Sequence, residues 1–456
     1  MTDLYGLRKV HFVGIGGVSM AAIAMVLQES GALVTGSDSE ESPTVGALRD
    51  SGIAVSIGHS AEHVGDADAV IYTAAIRLDN PELNAARLKG LPLLTRGEAL
   101  QLLVADARTI AVTGTHGKTT TSGMVATILS EAGLAPMNLV GGDVAGFESR
   151  AVSRKGRGEM AVVEACEAYG SFLFLKPAVA VITNIDIDHL DHYGDVESLH
   201  QAFADFVSGV TETAIVCADD PIAVRVAQHS NRILYGTRDE AYVRAVNIAN
   251  DVKSTRFDLQ VDGSVVGSVA MPVSGVHNVV NATGAAAACI ALGVPVSEVI
   301  KGLEAFKGVA RRFEHRGSVN GVDLIDDYAH LPAEIEAGLT AVRQGPWERV
   351  VAIFQPHLFT RTRDLAADFG RALMNADIVV LTDIYGAREQ PLPGVSGKVV
   401  LEALCEYDPN KRVAYLPRLE DVPSYIKEVA RAGDVVITMG AGDIARLPTL
   451  IKEGLL

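Results

Sequence analysis

The stretch Thr109-Ile-Ala-Val-Thr113, running straight into Gly114-Thr115-His116-Gly117-Lys118-Thr119-Thr120-Thr121, decides how this chain reads. An apolar run of strand length meets a glycine turn, and a helical pattern follows. Consecutive backbone N–H groups at such a helix start wrap a phosphate, and the aligned peptide dipoles favour its charge. Lys118 is placed to reach the β- and γ-phosphates, and the Thr119 hydroxyl to join a magnesium shell. The common spacing G-x-x-x-x-G-K-[ST] asks for glycine at position 112; the chain has Val112 there and Gly114 inside the loop. A helix entry that merely contains lysine and threonine is the plainer reading. The strand before and the helix after favour a nucleoside triphosphate held by Gly114–Thr120.

Working outward, Glu164 ends the apolar run Met160–Glu164, where a sheet of this kind places its metal-side carboxylate. The next run ends at Thr183 and enters Asn184-Ile-Asp186-Ile-Asp188-His189-Leu-Asp191-His192. Ligands of an open parallel sheet gather at the carboxyl ends of its strands, so these groups should converge on the Lys118 loop. A solvated acidic loop stays open as an alternative, and so does zinc held by His189 and His192, although no cysteine is near to complete such a site. His277-Asn278-Val-Val-Asn281 opens an alanine-rich helix with an imidazole and two amides, which suit the edge of a base; Asn278 could equally be a cap. Residues 257–270 alternate around Asp262-Gly263 and read as a hairpin.

Two further regions open in the same strand–turn–helix manner. Lys9–Val13 turns through Gly14-Ile-Gly16-Gly17 into a helix to about Glu29, with Gly31 after it and acidic Asp38 further on. That arrangement supports a nucleotide diphosphate at a helix start. Ser19 stands where a third glycine belongs, and the turn does not distinguish NAD from a UDP-sugar. The third region follows Arg311-Arg312, with strands at 323–325, 349–354, 376–381 and 434–438. Asp326-Asp327-Tyr328-Ala-His330 and Gln355-Pro-His357-Leu-Phe-Thr-Arg361 each put several polar groups at a strand end. Arg311-Arg312 and Arg361-Thr-Arg363 are basic islands whose forked guanidinium groups suit phosphate or carboxylate.

The 456 residues correspond to roughly three domains at about 150 each. A formal charge of −17 repels phosphate backbones, which argues against nucleic acid as a partner. Cys166, Cys217, Cys289 and Cys405 lack any C-x-x-C spacing, in keeping with a reducing cytosol and a cytoplasmic protein. The apolar stretch Val10–Leu27 only just reaches the ~18 residues of a spanning helix and is broken by three glycines, so a strand, a turn and a helix explain it better than membrane insertion.

Together HFVGIGGVSM, GTHGKTTT, TNIDIDHLDHY, HNVVNA, RRF, DDYAH and QPHLFTRT resemble the Mur ligase family, in its order, from about Val10 to Gly442. The opening turn combined with DDYAH and QPHxxTRT resembles the L-alanine-adding branch. The resemblance implies an α/β fold of three domains: an N-terminal Rossmann-like domain (1–107) for a UDP-sugar, a central P-loop ATPase-like domain with a mostly parallel sheet (108–312), and a C-terminal Rossmann-like domain (313–456) for the amino acid. It implies ATP and Mg2+ as cofactors, and UDP-N-acetylmuramate and L-alanine as substrates. By position, Lys118 and Thr119 hold ATP and the metal, Glu164 and His189 match metal ligands, and His277, Asn278 and Asn281 match the adenine side. Arg312 and Asp327 match groups that meet the nucleotide, His330, His357 and Arg361 the reaction and amino-acid side, and Gly14, Gly16, Gly17 and Asp38 the UDP-sugar turn. Leu331, Ala333, Leu358 and Cys166 depart from the family pattern. An NAD-dependent oxidoreductase built on the first turn is the competing reading, and it leaves the Lys118 loop without a purpose. A nucleotide-sensing module that turns over little ATP is another.

Overall fold

The computed structural model describes residues 4–147, 159–187, 190–251, 254–387 and 389–455. Three sheets follow one another along the chain. The first is wholly parallel, with strands β1 (Lys9–Val13), β2 (Leu33–Asp38), β3 (Ala54–Ile57), β4 (Ala69–Tyr72) and β5 (Leu93–Thr95) in the order β3-β2-β1-β4-β5. β1 lies at the centre, where strand order reverses, so the Gly14–Gly17 turn opens at the crevice such sheets use for ligands. Val10–Val13 is buried strand and Val18–Glu29 is helix, so the apolar stretch is a βα unit. Among the described residues no helix is long and apolar enough to cross a membrane. β5 starts only after Pro92. Pro92 has no N–H to give the ladder, although its carbonyl still accepts from Val70.

The second sheet contains β6 (Arg108–Thr113), β7 (Met137–Leu139), β8 (Met160–Glu164), β9 (Val179–Ile182), β10 (Thr213–Cys217), β11 (Arg232–Gly236), β12 (Val243–Asn250), β13 (Thr255–Val261) and β14 (Ser264–Met271). Its order is β14-β13-β12-β11-β10-β9-β6-β8-β7. The strands around β6 are parallel, and β13 and β14 form the antiparallel hairpin expected at Asp262-Gly263, both of which take positive φ (48° and 73°). β6 is buried from Thr109 onward, which is why its five apolar-rich residues read as continuous rather than alternating.

The third sheet joins β15 (Glu314–Val319), β16 (Val322–Asp327), β17 (Arg349–Phe354), β18 (Ile378–Leu381), β19 (Arg412–Tyr415) and β20 (Asp434–Met439) in the order β15-β16-β20-β17-β18-β19. Only the β15–β16 pair is antiparallel. Helices cover both faces, with Ile335, Leu339 and Phe369 buried on one and Ile426, Leu447 and Ile451 on the other.

By internal contacts the chain divides into two units. One comprises Met1–Ala249, Thr255–Pro272 and Val276–Lys307; the other comprises Asn250–Ser254, Val273–Gly275 and Gly308–Leu456. The first two sheets therefore belong to one unit, and they share a core. Leu100 and Leu103 of helix Arg96–Leu103 are buried in the same cluster as Phe172 and Leu175. The chain's single tryptophan, Trp347, belongs to the second unit, where its indole N–H donates to Asp323 Oδ2 at 2.6 Å.

Candidate functional site

In the first unit the site is built at the mouth of β6. Gly114 leaves the strand at φ 130°, and a Cβ there would run into Thr183 Oγ1. Gly117 caps helix Lys118–Glu131 at φ 80°, with its missing Cβ replaced by Asn281 Oδ1, 2.5 Å from where it would lie. Only glycine fits either place without strain. The residues after β9 brace the loop. Thr183 Oγ1 donates to the Thr113 and His116 carbonyls at 3.1 and 2.6 Å. Asn184 Oδ1 accepts the His116 N–H at 2.8 Å, its Nδ2 donates to the His116 carbonyl at 3.0 Å, and its own carbonyl accepts from Thr115 N–H at 3.0 Å. Thr115 and His116, two expected phosphate contacts, thus have their N–H groups directed to Asn184. The N–H groups of Gly117, Lys118, Thr119 and Thr120, which precede the first intrahelical bond from Thr121, remain at the helix start.

Lys118 Nζ lies across this loop. It donates to the Gly114 and Thr115 carbonyls at 2.5 and 3.0 Å and to Glu167 Oε1 at 3.0 Å, with Oε2 at 2.9 Å. Burial works against its charge, but Glu167, Cys166 and Glu164 outweigh it, so the ammonium titrates above the ordinary lysine range. Burial and Glu167 together push the Cys166 thiol up, which keeps it protonated. Glu164 Oε2 accepts the Gly141 N–H at 2.7 Å. With Ser19, Ile23, Arg96 and Leu100, Glu164 lines a cavity of about 10 Å3 between the first and second sheets. His189 lies outside the described residues, and among those described no cluster of three or more His, Cys, Asp or Glu side chains could hold a metal. Asn278 and Asn281 are buried in helix Val276–Ala291, while His277 is exposed at its start. Asn278 is therefore inside the helix and is not its cap.

At the first turn, Gly16 N–H donates to Asp38 Oδ2 at 2.7 Å, so the acidic residue braces the glycines directly. Behind it lies a cluster with no signal in the sequence. The fully buried Glu82 accepts from Ser37 Oγ at 2.6 Å and meets His59 Nδ1 at 3.0 Å and His63 Nδ1 at 2.8 Å, with His11 Nε2 at 3.7 Å. Burial opposes its ionisation, yet the nearby His11 imidazole and the hydrogen bonds from Ser37 and His63 hold its carboxyl down at about 2.

In the second unit Arg312, Asp327, His330, His357 and Arg361 come together at the ends of β16 and β17. Arg311 is taken up structurally, donating to the Gly440 carbonyl at 2.6 Å and to Asp326 at 3.3 Å. Both guanidinium groups lie over the Tyr328 ring, Arg311 at 5.1 Å and Arg312 at 4.9 Å. The rings of Tyr328 and His330 are 5.3 Å apart, His330 and His357 5.9 Å, and His357 and Tyr385 5.9 Å. Burial raises Asp327 to about 7 against the pull of Arg312 and the Ala329 N–H. Leu358, one of the departures, takes φ 69°, held by its N–H to the Tyr385 carbonyl at 3.0 Å and by Thr362 Oγ1 on its carbonyl at 2.6 Å. Glu167, Glu334 and Tyr385 received no role from sequence reasoning. Only Glu334 left a trace, four residues after His330 at a helix start.

Three family models match the chain in order: "Mur ligase family, catalytic domain" over residues 9–108, "Mur ligase middle domain" over 112–289, and "Mur ligase, glutamate ligase domain" over 311–442. UDP-N-acetylmuramate–L-alanine ligase of Clavibacter michiganensis is 44% identical over 97% of this chain and 92% of its own length. The protein of that name from Thermobifida fusca is 42% identical over 98% and 97%. The crystal structure of UDP-N-acetylmuramate–alanine ligase from Thermotoga maritima superposes with a TM-score of 0.84 at 30% identity, covering 98% of both chains. A murein peptide ligase from Psychrobacter arcticus shares the fold, with a TM-score of 0.72 at 23% identity over 98% of each chain.

Proposed function

The chain belongs to the Mur ligase family, and on that footing we propose that it joins L-alanine to the lactyl carboxylate of UDP-N-acetylmuramate at the expense of ATP, in peptidoglycan precursor synthesis. The oxidoreductase reading falls with that membership. One observation carries the chemistry: a half-buried, charged Lys118 held at the head of a helix whose entry is braced from the neighbouring strand.

The residues suit a triphosphate. Four N–H groups at a helix start and one ammonium offer donors to its terminal oxygens, and Asn281 closes the side of the loop at Gly117. The Thr119 hydroxyl and the Glu164 carboxylate are hard oxygen donors of the kind Mg2+ takes, and both belong to this end of the sheet. Bound there, Mg2+ would neutralise phosphate charge. The lactyl carboxylate attacks the γ-phosphorus, ADP leaves, and Lys118 spreads the charge that develops. The neutral amine of L-alanine then attacks the acyl phosphate, and phosphate departs from the tetrahedral intermediate. Gly14, Gly16 and Gly17, braced by Asp38, hold the UDP-sugar; Asp327 and Arg312 serve the nucleotide; His330, His357 and Arg361 serve the amino acid. We extend the proposal to domains at 1–107, 108–312 and 313–456, supported by one sheet in each. We propose further that it works in the cytoplasm.

ADP release measured with UDP-N-acetylmuramate and with each amino acid singly withheld tests the reading. Dependence on both substrates is expected. Release indifferent to either one points to a nucleotide sensor instead.

A further inference from the structure

The second half-reaction has to dispose of a proton, because the nitrogen that attacks the acyl carbon becomes positively charged as the C–N bond forms. Two imidazoles, His330 and His357, stand in the cluster that serves the amino acid. The surroundings of His330 define what each of its ring nitrogens can do. Nδ1 lies 3.1 Å from the Tyr328 carbonyl oxygen and 3.3 Å from Glu334 Oε2. A carbonyl and a carboxylate only accept, so the hydrogen of a neutral imidazole belongs on Nδ1 and the lone pair on Nε2. Glu334 is doubly fixed. Its Oε2 accepts the backbone N–H groups of His330 and Leu331 at 2.9 and 3.2 Å, and its helix Pro332–Arg343 starts at that point. One carboxylate therefore holds both the main chain and the ring of the same histidine.

The groups facing this imidazole come from four elements. Glu334 belongs to its own helix, Tyr328 to the end of β16, Arg312 to the segment before β15, and His357 and Arg361 follow β17. Burial lowers His330 most; Arg361 and Arg312 lower it further, while Glu334 and the Tyr328 carbonyl raise it, leaving it below the ordinary histidine value. The ring is thus neutral, and its lone pair available, at neutral pH. Ion-pair partners of this kind are a second support behind a reacting histidine, as in many hydrolase sites.

We propose that Glu334 is a positioning residue that keeps the His330 hydrogen on Nδ1, so that His330 Nε2 takes the proton from the attacking amine of L-alanine; the proposal rests on the ligase reading above. The nitrogen lone pair forms the C–N bond, and the carbonyl electron pair moves onto oxygen. An N–H proton passes to Nε2. The oxygen pair then reforms the C=O bond as the C–O bond to phosphate breaks, and the leaving phosphate or solvent takes the proton from the imidazolium.

Two variants and two readouts test this. Glu334→Gln keeps an acceptor for the backbone but removes the charge. It should lower kcat about 10- to 100-fold with the KM values for all three substrates nearly unchanged. With less support for the imidazolium, the acidic limb of its kcat–pH profile should move to lower pH. His330→Gln leaves the helix start intact and should lower kcat by about 100-fold or more, with that limb gone. Both variants should still make the acyl phosphate at the wild-type rate from ATP and UDP-N-acetylmuramate without L-alanine, trapped as the alcohol by borohydride. An unshifted limb with near-normal kcat overturns the inference, and so does a loss of trapping in step with kcat, which would show a merely structural role. If Glu334→Gln does not fold, His330→Gln alone decides. Failure of the wild type to yield trapped alcohol overturns the ligase reading, and this inference with it.

Discussion

At the scale of single residues, the Lys118–Glu167 pair shows how a half-buried cation is kept charged by a buried carboxylate. Removing one member of a buried pair costs about 3–5 kcal/mol, because the other is left uncompensated. Lys118→Ala should therefore abolish ADP release and also lower the melting temperature, both readable on one preparation. Glu82 offers a cleaner titration. Its carboxyl sits at about 2 in the folded chain against 4.5 as the reference value. A depressed acid stabilises the fold above its unfolded value and loses that contribution as pH falls toward the folded one. Glu82→Gln should cost on the order of 3 kcal/mol at pH 7, with the difference shrinking below about pH 4.5 in denaturant titrations. Asp327 has the opposite sign. Burial raises it to about 7, so folding is penalised once pH rises above the unfolded value, most fully above the folded one. Asp327→Asn should raise stability at pH 8 by on the order of 2 kcal/mol, discounted because the side chain is only partly buried, while ligase activity falls. A variant that is no more stable than the wild type would contradict that sign.

At the scale of elements, strand ends do the work. The two residues after β9 hold the entry of the neighbouring helix, and Asn184 makes two of those bonds with one side chain. Asn184→Ala should weaken binding of a non-hydrolysable ATP mimic about tenfold in calorimetry, with little change in the melting temperature. Elements of this kind were legible where apolar runs met glycine. β1, β6, β8 and β17 appear where the sequence places them, and Asp262-Gly263 makes its hairpin. β3 and β19 gave no signal, being short and only partly buried, so neither face carries a continuous apolar row. Side-chain partnerships were less legible. Glu82 with its three histidines, and Glu167 with Lys118, join positions far apart in the chain, and no spacing rule announces such meetings. Glu334 was the exception in principle, since a carboxylate four residues past a histidine at a helix start lies within reach of it.

At the scale of the whole molecule, a body carrying −17 has to receive substrates that are themselves anions. Among the described residues a number of its cations are tied to carboxylates, as in Arg108–Glu212 and Arg349–Asp434. Arg312 over Tyr328 and Lys118 at a helix start are local concentrations of positive charge, so any attraction of an anion is local while the net charge repels. Raising the ionic strength from about 0.05 to 0.5 M should therefore weaken that general repulsion. The KM for UDP-N-acetylmuramate is expected to stay level or fall in steady-state assays, and a rise of several-fold would show that attraction by the surface dominates.

The lone indole gives the second unit an optical signature of its own. Because Trp347 donates to Asp323 inside that unit and no other tryptophan exists, emission excited at the red edge follows the environment of one carboxylate at β16. A dye-free fluorescence melt then reads the unfolding of the second unit, whatever happens around Lys118, and far-ultraviolet dichroism on the same sample supplies the remainder.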